Sequence, residues 1–307
     1  MNYDLIILGS GSAGLTASIY ASRYKIKHLV IGKLLGGTAT EAFKVENWPG
    51  TPGIAGTELL KKFQEHAQNL GAEIIVSEVV KIEKQNGGFK VTCHDGKNYL
   101  AKTLILALGT SRRKLDVPGE AEFLGKGVSY CATCDGPLYK DKIVGVVGGG
   151  NSAVTSAIML SKYASQVYLF VREATMIAEP AWQEQAKKNP KIKILSETNI
   201  KEILGKDKVL SANIDKPVDD KTNLKLNGLF VEIGAVPAGA LCRGLGVQLD
   251  EKGFIKIANN GVTNITGVFA AGDVTSGSGG FAQIITACAE GAVASYSVFK
   301  FLKGLNG

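Results

Sequence analysis

Two glycine-rich turns about 140 residues apart constrain this 307-residue chain more than any other feature. Each closes a short apolar run and opens a helix-like stretch. The first run, Asp4-Leu5-Ile6-Ile7-Leu8, has the length and apolarity of a strand buried in a parallel sheet. Gly9-Ser10-Gly11-Ser12-Ala13-Gly14 follows, then a helix-like stretch from Leu15 to Arg23, then residues 28–31 as a second strand. The order repeats with residues 143–147 as a strand, Gly148-Gly149-Gly150-Asn151-Ser152-Ala153 as the turn, a helix to about Tyr163, and Gln166–Val171 as the next strand. Glycines at such a turn let the backbone approach a pyrophosphate, which the free N–H groups and partial positive charge of the helix N-terminus can hold. A lone G-x-G-x-x-G means little. Strand, turn, helix and strand in that order, twice, predict an α/β protein with two Rossmann-like dinucleotide-binding domains of three ββα layers, the second inserted into the first.

Further strands are expected over Phe89–His94 and Tyr99–Leu106 and a strand and turn over Gly267–Asp273, with a long final helix from about Phe281 to Leu302. Breaks near Arg112–Val117 and Pro237–Ala240 divide the chain into an outer domain of residues 1–113 and 241–307 and an inserted domain of residues 114–240. Two nucleotide folds imply two ligands that must meet. Gly9, Gly11, Ser12, Ala13 and Gly14 are the first candidate contacts, and Gly148, Gly150, Asn151, Ser152 and Ala153 the second. Where an acid commonly follows the second strand of such a unit, this chain has Gly32-Lys33, so an adenosine there is held partly by backbone. Gly109 ends the strand that closes at Leu106 and joins the same candidate site. In the inserted unit Glu173 lies about 20 residues past the turn, where a carboxylate favours a ribose diol, hence NADH, and repels a 2′-phosphate. Arg172 beside it cuts the other way.

The chemistry-bearing motif is Cys131-Ala132-Thr133-Cys134-Asp135. Cysteines at i and i+3 can form a reducible disulfide at a helix N-terminus, where a thiolate is stabilised. Asp135 can shuttle the proton that leaves or joins a thiol. A zinc site needs further ligands, and Cys93, His94, Cys242 and Cys288 offer no second pair, so no metal is expected. Those three cysteines read as core residues. Asp273, after an apolar strand and before the last helix, can bind a ribitol hydroxyl of a flavin whose pyrimidine edge faces the helix N-terminus.

Composition excludes several classes. At 45% hydrophobic and 21% charged the chain is globular, and no apolar run is long enough to span a membrane. Net charge is +7 with the basic residues spread out, which suits acidic protein partners and gives nucleic-acid binding little support. Five cysteines, an odd number, and an N-terminus that runs into a strand without a signal-like segment make a cytoplasmic location the expectation.

Taken together, these segments resemble the low-molecular-weight thioredoxin reductases. The likeness is carried by Gly9–Gly14, Val45-Glu46-Asn47-Trp48-Pro49-Gly50, Gly127-Val128-Ser129-Tyr130-Cys131-Ala132-Thr133-Cys134-Asp135-Gly136, Gly148–Ala153 and Gly267–Asp273. The glutathione-reductase-like branch would place C-x₄-C near residues 37–45, where this chain has no cysteine. The resemblance implies FAD in the outer domain, with Gly37, Thr38, Asn47, Asp273 and Gln283 among the flavin contacts. It implies a homodimer, a rotation between two domain arrangements, and thioredoxin as the partner. By the same resemblance Cys131 attacks the thioredoxin disulfide, Cys134 exchanges electrons with the flavin, and Asp135 is the acid/base.

The electron donor is where the chain departs from that family. NADPH-using members carry an arginine cluster after the second strand of the inserted domain, suited to a 2′-phosphate. Here the stretch is Val171-Arg172-Glu173-Ala174-Thr175-Met176-Ile177, with Glu173 and Ile177 in place of two arginines. The last helix opens on Ala282-Gln283 instead of Arg-Gln. The reading is therefore an FAD-dependent thioredoxin-disulfide reductase with NADH preferred over NADPH. A nicotinamide-independent, ferredoxin-linked enzyme is the alternative. A flavin-bearing redox sensor or binding module is a reading of another class, which steady thioredoxin turnover would exclude. Flavin ferredoxin–nicotinamide reductases lack the cysteine pair kept here.

Overall fold

The computed structural model describes residues 2–42 and 44–305. The outermost residues of the expected outer domain, Met1 and Asn306–Gly307, lie outside the described residues, as does Phe43. The chain forms two compact units, Met1–Ser111 with Val236–Gly307, and Arg112–Ala235. The crossings fall a few residues before the expected breaks, in the short strands Thr110–Arg112 and Ala235–Pro237, which pair as a two-stranded ribbon.

In the first unit, Tyr3–Leu8 pairs in parallel with His28–Gly32 on one side and Asn98–Leu106 on the other. Glu73–Val76 and Val268–Ala270 extend this parallel sheet at its two edges. The sheet is buried on both faces, so its strands are continuously apolar rather than alternating. Alternate residues of one strand serve different cores. Leu5 and Ile7 pack toward the helices Ser12–Arg23 and Ile284–Leu302. Ile6 and Leu8 pack toward Ile82, Phe89 and Val91 of the antiparallel strands Val79–Gln85 and Gly88–Cys93. Those strands are the third layer, and they join the sheet through the first half of Asn98–Leu106.

The second unit repeats the plan. Its parallel sheet runs Ile192–Ser196, Gln166–Val171, Ile143–Val147, Gly228–Val231, Val128–Ser129. The helices Asn151–Leu160 and Pro180–Lys188 connect its strands. The antiparallel strands Ile200–Gly205, Val209–Val218 and Lys221–Lys225 bury Ile203, Val209, Ala212 and Leu224 in a common core with Phe170, Leu229 and Val231.

Three expectations shift. The helix after the second glycine turn ends at Leu160, with turns carrying the chain to Tyr163. The final helix starts at Ile284 rather than Phe281. Phe281 has ψ 80° and Gln283 is extended at φ −136°, ψ 157°, neither of them helical, and Gln283 then caps the helix by exchanging hydrogen bonds with Thr286. The helix at the dithiol, Ala132–Asp135, is a single turn, so its dipole contributes little to a thiolate there. Among the described residues no helix is long and apolar enough to cross a membrane.

Candidate active site

Cys131 and Cys134 are joined in a disulfide at the head of the short helix. Val128–Ser129, the edge strand of the second sheet, delivers the chain to this point. Ser129 anchors Cys131 by accepting its backbone N–H at 3.0 Å. The Cys134 backbone N–H donates to Cys131 Sγ at 3.2 Å, and the Asp135 N–H to the Cys131 carbonyl at 3.1 Å. Cys134 is exposed and Cys131 half-buried, so an incoming disulfide has access. Asp135 is half-buried, and its charge adds to the burial that pushes the Tyr139 phenol above its usual range. A cysteine pair with one exposed member and a carboxyl one residue on can carry out thiol–disulfide exchange with proton transfer. Cys93, Cys242 and Cys288 are free and buried, and burial pushes the Cys242 thiol up to about 12 and Cys288 to about 11, which makes those two unreactive. No group of metal-ligating side chains occurs among the described residues.

The first glycine turn has the shape of a dinucleotide cradle. A Cβ on Gly14 would stand 1.9 Å from the Gly9 carbonyl oxygen, so only glycine lets the helix start this close to the strand. Gly11 is the N-cap of Ser12–Arg23, and no side chain caps its first N–H groups. Those donors are left for water or for an anion. Ser10 ties the turn to the 32–37 segment: its carbonyl accepts the Gly36 N–H at 2.8 Å and its Oγ donates to Leu34 O at 3.0 Å. Gly32 and Gly37 therefore adjoin Gly9–Gly14, and Thr38 lies in the 3₁₀ turn Gly37–Glu41. Lys33 points to the surface and pairs with Glu78 at 2.9 Å.

Asn47 and Gln283 lie 236 positions apart, and the Asn47 side-chain amide donates to Gln283 Oε1 at 2.9 Å. Gly109 follows the strand end at Leu106 with φ 64°. Asp273 follows the strand Val268–Ala270 but precedes the 3₁₀ turn Gly277–Gly280, not the last helix itself. Among the described residues its carboxyl has no hydrogen-bond partner, and burial first, then nearby Glu290, pushes its pKa up. An uncapped helix N-terminus, a glycine cradle and a carboxyl left without a protein donor fit a group such as FAD.

In the second unit Gly148–Ala153 makes the same turn, with Gly150 as an uncapped N-cap. The following loop is pinned across it: the Ile177 and Ala178 N–H groups both donate to Gly149 O, at 2.8 and 3.1 Å. Asn151 is locked to Glu179 in both directions, at 2.7 and 3.1 Å. Ser152 and Ala153 open the helix. Glu173 is exposed and holds Arg172 in an ion pair at 2.9 Å, while Ile177 is 81% exposed. No unpaired cation stands in this stretch for a 2′-phosphate.

Two acids escaped sequence reasoning. Glu290, midway along the last helix, accepts the Gly272 N–H at 2.8 Å, the Thr275 hydroxyl at 2.9 Å and the Ser278 hydroxyl at 2.6 Å. It orders the turn that carries Asp273. Glu232, buried at the end of Gly228–Val231, pairs with Arg112 at 2.9 Å and accepts from Ser156 at 3.2 Å. Neither lies in a glycine-rich or cysteine motif. The one sequence signal was an acid placed among small or apolar residues.

The sequence profile of the pyridine nucleotide-disulphide oxidoreductases matches residues 3–291. The thioredoxin reductase of Treponema pallidum is 39% identical over 308 residues, covering 99% of this chain and 98% of that protein. The crystal structure of Lactococcus lactis thioredoxin reductase, described as the FR conformation, superposes with a TM-score of 0.93 at 35% identity, covering 98% of this chain and 99% of that one. A ferredoxin-flavin thioredoxin reductase from Clostridium acetobutylicum matches with a TM-score of 0.53 at 33% identity, covering 98% of both chains.

Proposed function

The chain belongs to the pyridine nucleotide-disulphide oxidoreductases, as a thioredoxin reductase of the low-molecular-weight kind, and from that premise we propose the route its electrons take. The donor is NADH rather than NADPH, the carrier is FAD, and the Cys131–Cys134 pair delivers the electrons to the disulfide of thioredoxin. The observation that carries this reading is the closed Cys131–Cys134 bridge, with Cys134 exposed, Cys131 partly exposed and Asp135 one residue on.

When bound, FAD supplies two-electron chemistry between donor and disulfide. Gly9, Gly11, Ser12, Ala13 and Gly14 would hold its phosphates, Gly32, the Lys33 backbone, Gly37, Thr38 and Gly109 would line the cradle, and Asn47, Asp273 and Gln283 would hold the ribitol and ring end. Reduction of the Cys131–Cys134 bond takes two electrons and gives two sulfurs, one of which is protonated by Asp135. The Cys131 thiolate then attacks a sulfur of the thioredoxin disulfide, forming a mixed disulfide and releasing one thioredoxin thiolate. Cys134, its proton taken by Asp135, attacks Cys131 Sγ, which restores the bridge and frees the second thiol.

Gly148, Gly150, Asn151, Ser152 and Ala153 are the nicotinamide-nucleotide turn in this reading, with Glu173 toward the ribose. The Arg172–Glu173 ion pair and exposed Ile177 support NADH over NADPH, since a carboxylate there repels a 2′-phosphate. The same lack of free arginines, with the likeness to the Clostridium acetobutylicum enzyme, supports ferredoxin as the second reading of the donor. A homodimer in the cytoplasm completes the proposal. The exposed stripe of Ile285, Ala289, Val293 and Tyr296 on the last helix supports a second copy. Anaerobic bleaching of the flavin with NADH, NADPH and reduced ferredoxin in parallel tests the donor. Bleaching by NADH is expected. Bleaching by ferredoxin alone replaces the first reading with the second.

A further inference from the structure

Glu120 is a buried carboxylate, 5% exposed, that the route above does not use. Its Oε1 accepts the Leu115 N–H at 2.7 Å and the Tyr130 hydroxyl at 2.6 Å, and its Oε2 accepts the Asp116 N–H at 2.7 Å. Hydrogen bonds to an ionised acceptor are about twice as strong as neutral ones. Tyr130 is the residue before Cys131. Burial, then the bond to Glu120, holds its phenol above its usual range, so the hydroxyl remains a donor. On the other side of the linkage Asp116 sits at φ 58°, an unfavourable conformation for a residue with a Cβ, and its amide is one that Glu120 holds.

We propose that Glu120 and Tyr130 are positioning residues for the redox dithiol: the Glu120–Tyr130 hydrogen bond braces the residue before Cys131 against Leu115–Asp116 and so fixes Cys131 under the Cys134 amide. The brace fills a gap in the local structure. The helix that follows is one turn long and cannot hold Cys131 by itself. From the N-terminal side Cys131 is held by Ser129 Oγ at 3.0 Å and, through Tyr130, by Glu120. Its geometry matters because the Cys134 N–H points at Cys131 Sγ at 3.2 Å. In the reduced enzyme an amide donor there favours the thiolate over the thiol. Asp135, on the same turn, is the charged group nearest in sequence to the pair, and neither variant below alters it.

The inference rests on the dithiol reading and is tested without thioredoxin turnover. In full-length protein carrying Cys134→Ser, Cys131 is the one accessible thiol among the described residues, because Cys93, Cys242 and Cys288 are buried. Its alkylation by iodoacetamide is followed against pH, with and without Tyr130→Phe. Loss of the hydroxyl should move the midpoint up by about half a unit or more, roughly a threefold lower rate at pH 7. A brace with only a structural role would lower the melting temperature and leave the midpoint where it was. An unmoved midpoint in Tyr130→Phe, which keeps the ring, overturns the proposal. Failure of the wild-type pre-reduced enzyme to reduce thioredoxin would refute the functional reading instead, leaving the alkylation result to stand alone.

Discussion

Replacing Glu290 by Gln keeps the shape of the side chain and removes its charge. The carboxylate now accepts three hydrogen bonds, from Gly272 N–H, Thr275 and Ser278. An amide has one acceptor oxygen, so either the Ser278 bond or the Gly272 and Thr275 bonds must face an N–H₂ group. Bonds to a charged acceptor contribute about 1.5–3 kcal/mol and neutral ones about 1 kcal/mol. Losing one bond and weakening the others costs roughly 3 kcal/mol, reduced somewhat because Glu290 is half-exposed. With an unfolding entropy of about 2.1 cal/mol/K per residue, a chain of 307 residues loses roughly 5 °C in melting temperature. The loosened 272–278 turn also leaves Asp273 less pre-positioned, and FAD affinity should fall about tenfold. Thermal unfolding of the flavin-free protein and fluorescence titration with FAD measure the two effects. A variant that melts like wild type and binds FAD as tightly refutes the role of Glu290 as organiser of this turn.

Asp273 itself carries a cost. Its folded pKa is raised above the ordinary 3.8, so its ionisation opposes folding at neutral pH and not at pH 3. Asp273→Asn should therefore stabilise the flavin-free protein at pH 7, with the gain vanishing near pH 3, while weakening FAD; denaturant midpoints at the two pH values check the sign. His28 is buried on Ser18 at 2.8 Å and burial lowers its pKa below 6.5, so its contribution to stability is present above about pH 6.5 and lost as pH falls below it. His28→Gln should flatten that part of the stability–pH curve. Glu173→Arg with Ile177→Arg removes the partner of Arg172 and supplies two cations, and should raise kcat/KM for NADPH at least tenfold if a nicotinamide nucleotide binds here.

Much of this was legible in the chain because the two glycine turns are local. Strand, turn and helix succeed one another within about 30 residues, and Gly9–Gly14 and Gly148–Ala153 sit where their spacing put them. The cysteine pair is local too. The antiparallel layers were harder. Val79–Gln85 and Ile200–Gly205 intersperse lysines and glutamates with few buried apolar residues, a weaker signal than the apolar run of a doubly buried strand. The last helix starts later than its apolar pattern suggests because its cap is Gln283, a residue seldom found at that position. Contacts such as Asn47 with Gln283 span most of the chain. The hubs at Glu290, Glu232 and Glu120 become visible only when the donors that surround each carboxylate are brought together in space.

The central claim is that electrons leave through Cys131 and Cys134 to a protein disulfide. The most direct test is anaerobic mixing of donor-reduced enzyme with oxidised thioredoxin, following thioredoxin thiols alongside flavin absorbance. Wild type should form two thioredoxin thiols per two electrons and turn over. Cys134→Ser should take up electrons on its flavin and pass none to thioredoxin. Thioredoxin reduction that survives Cys134→Ser would contradict the account.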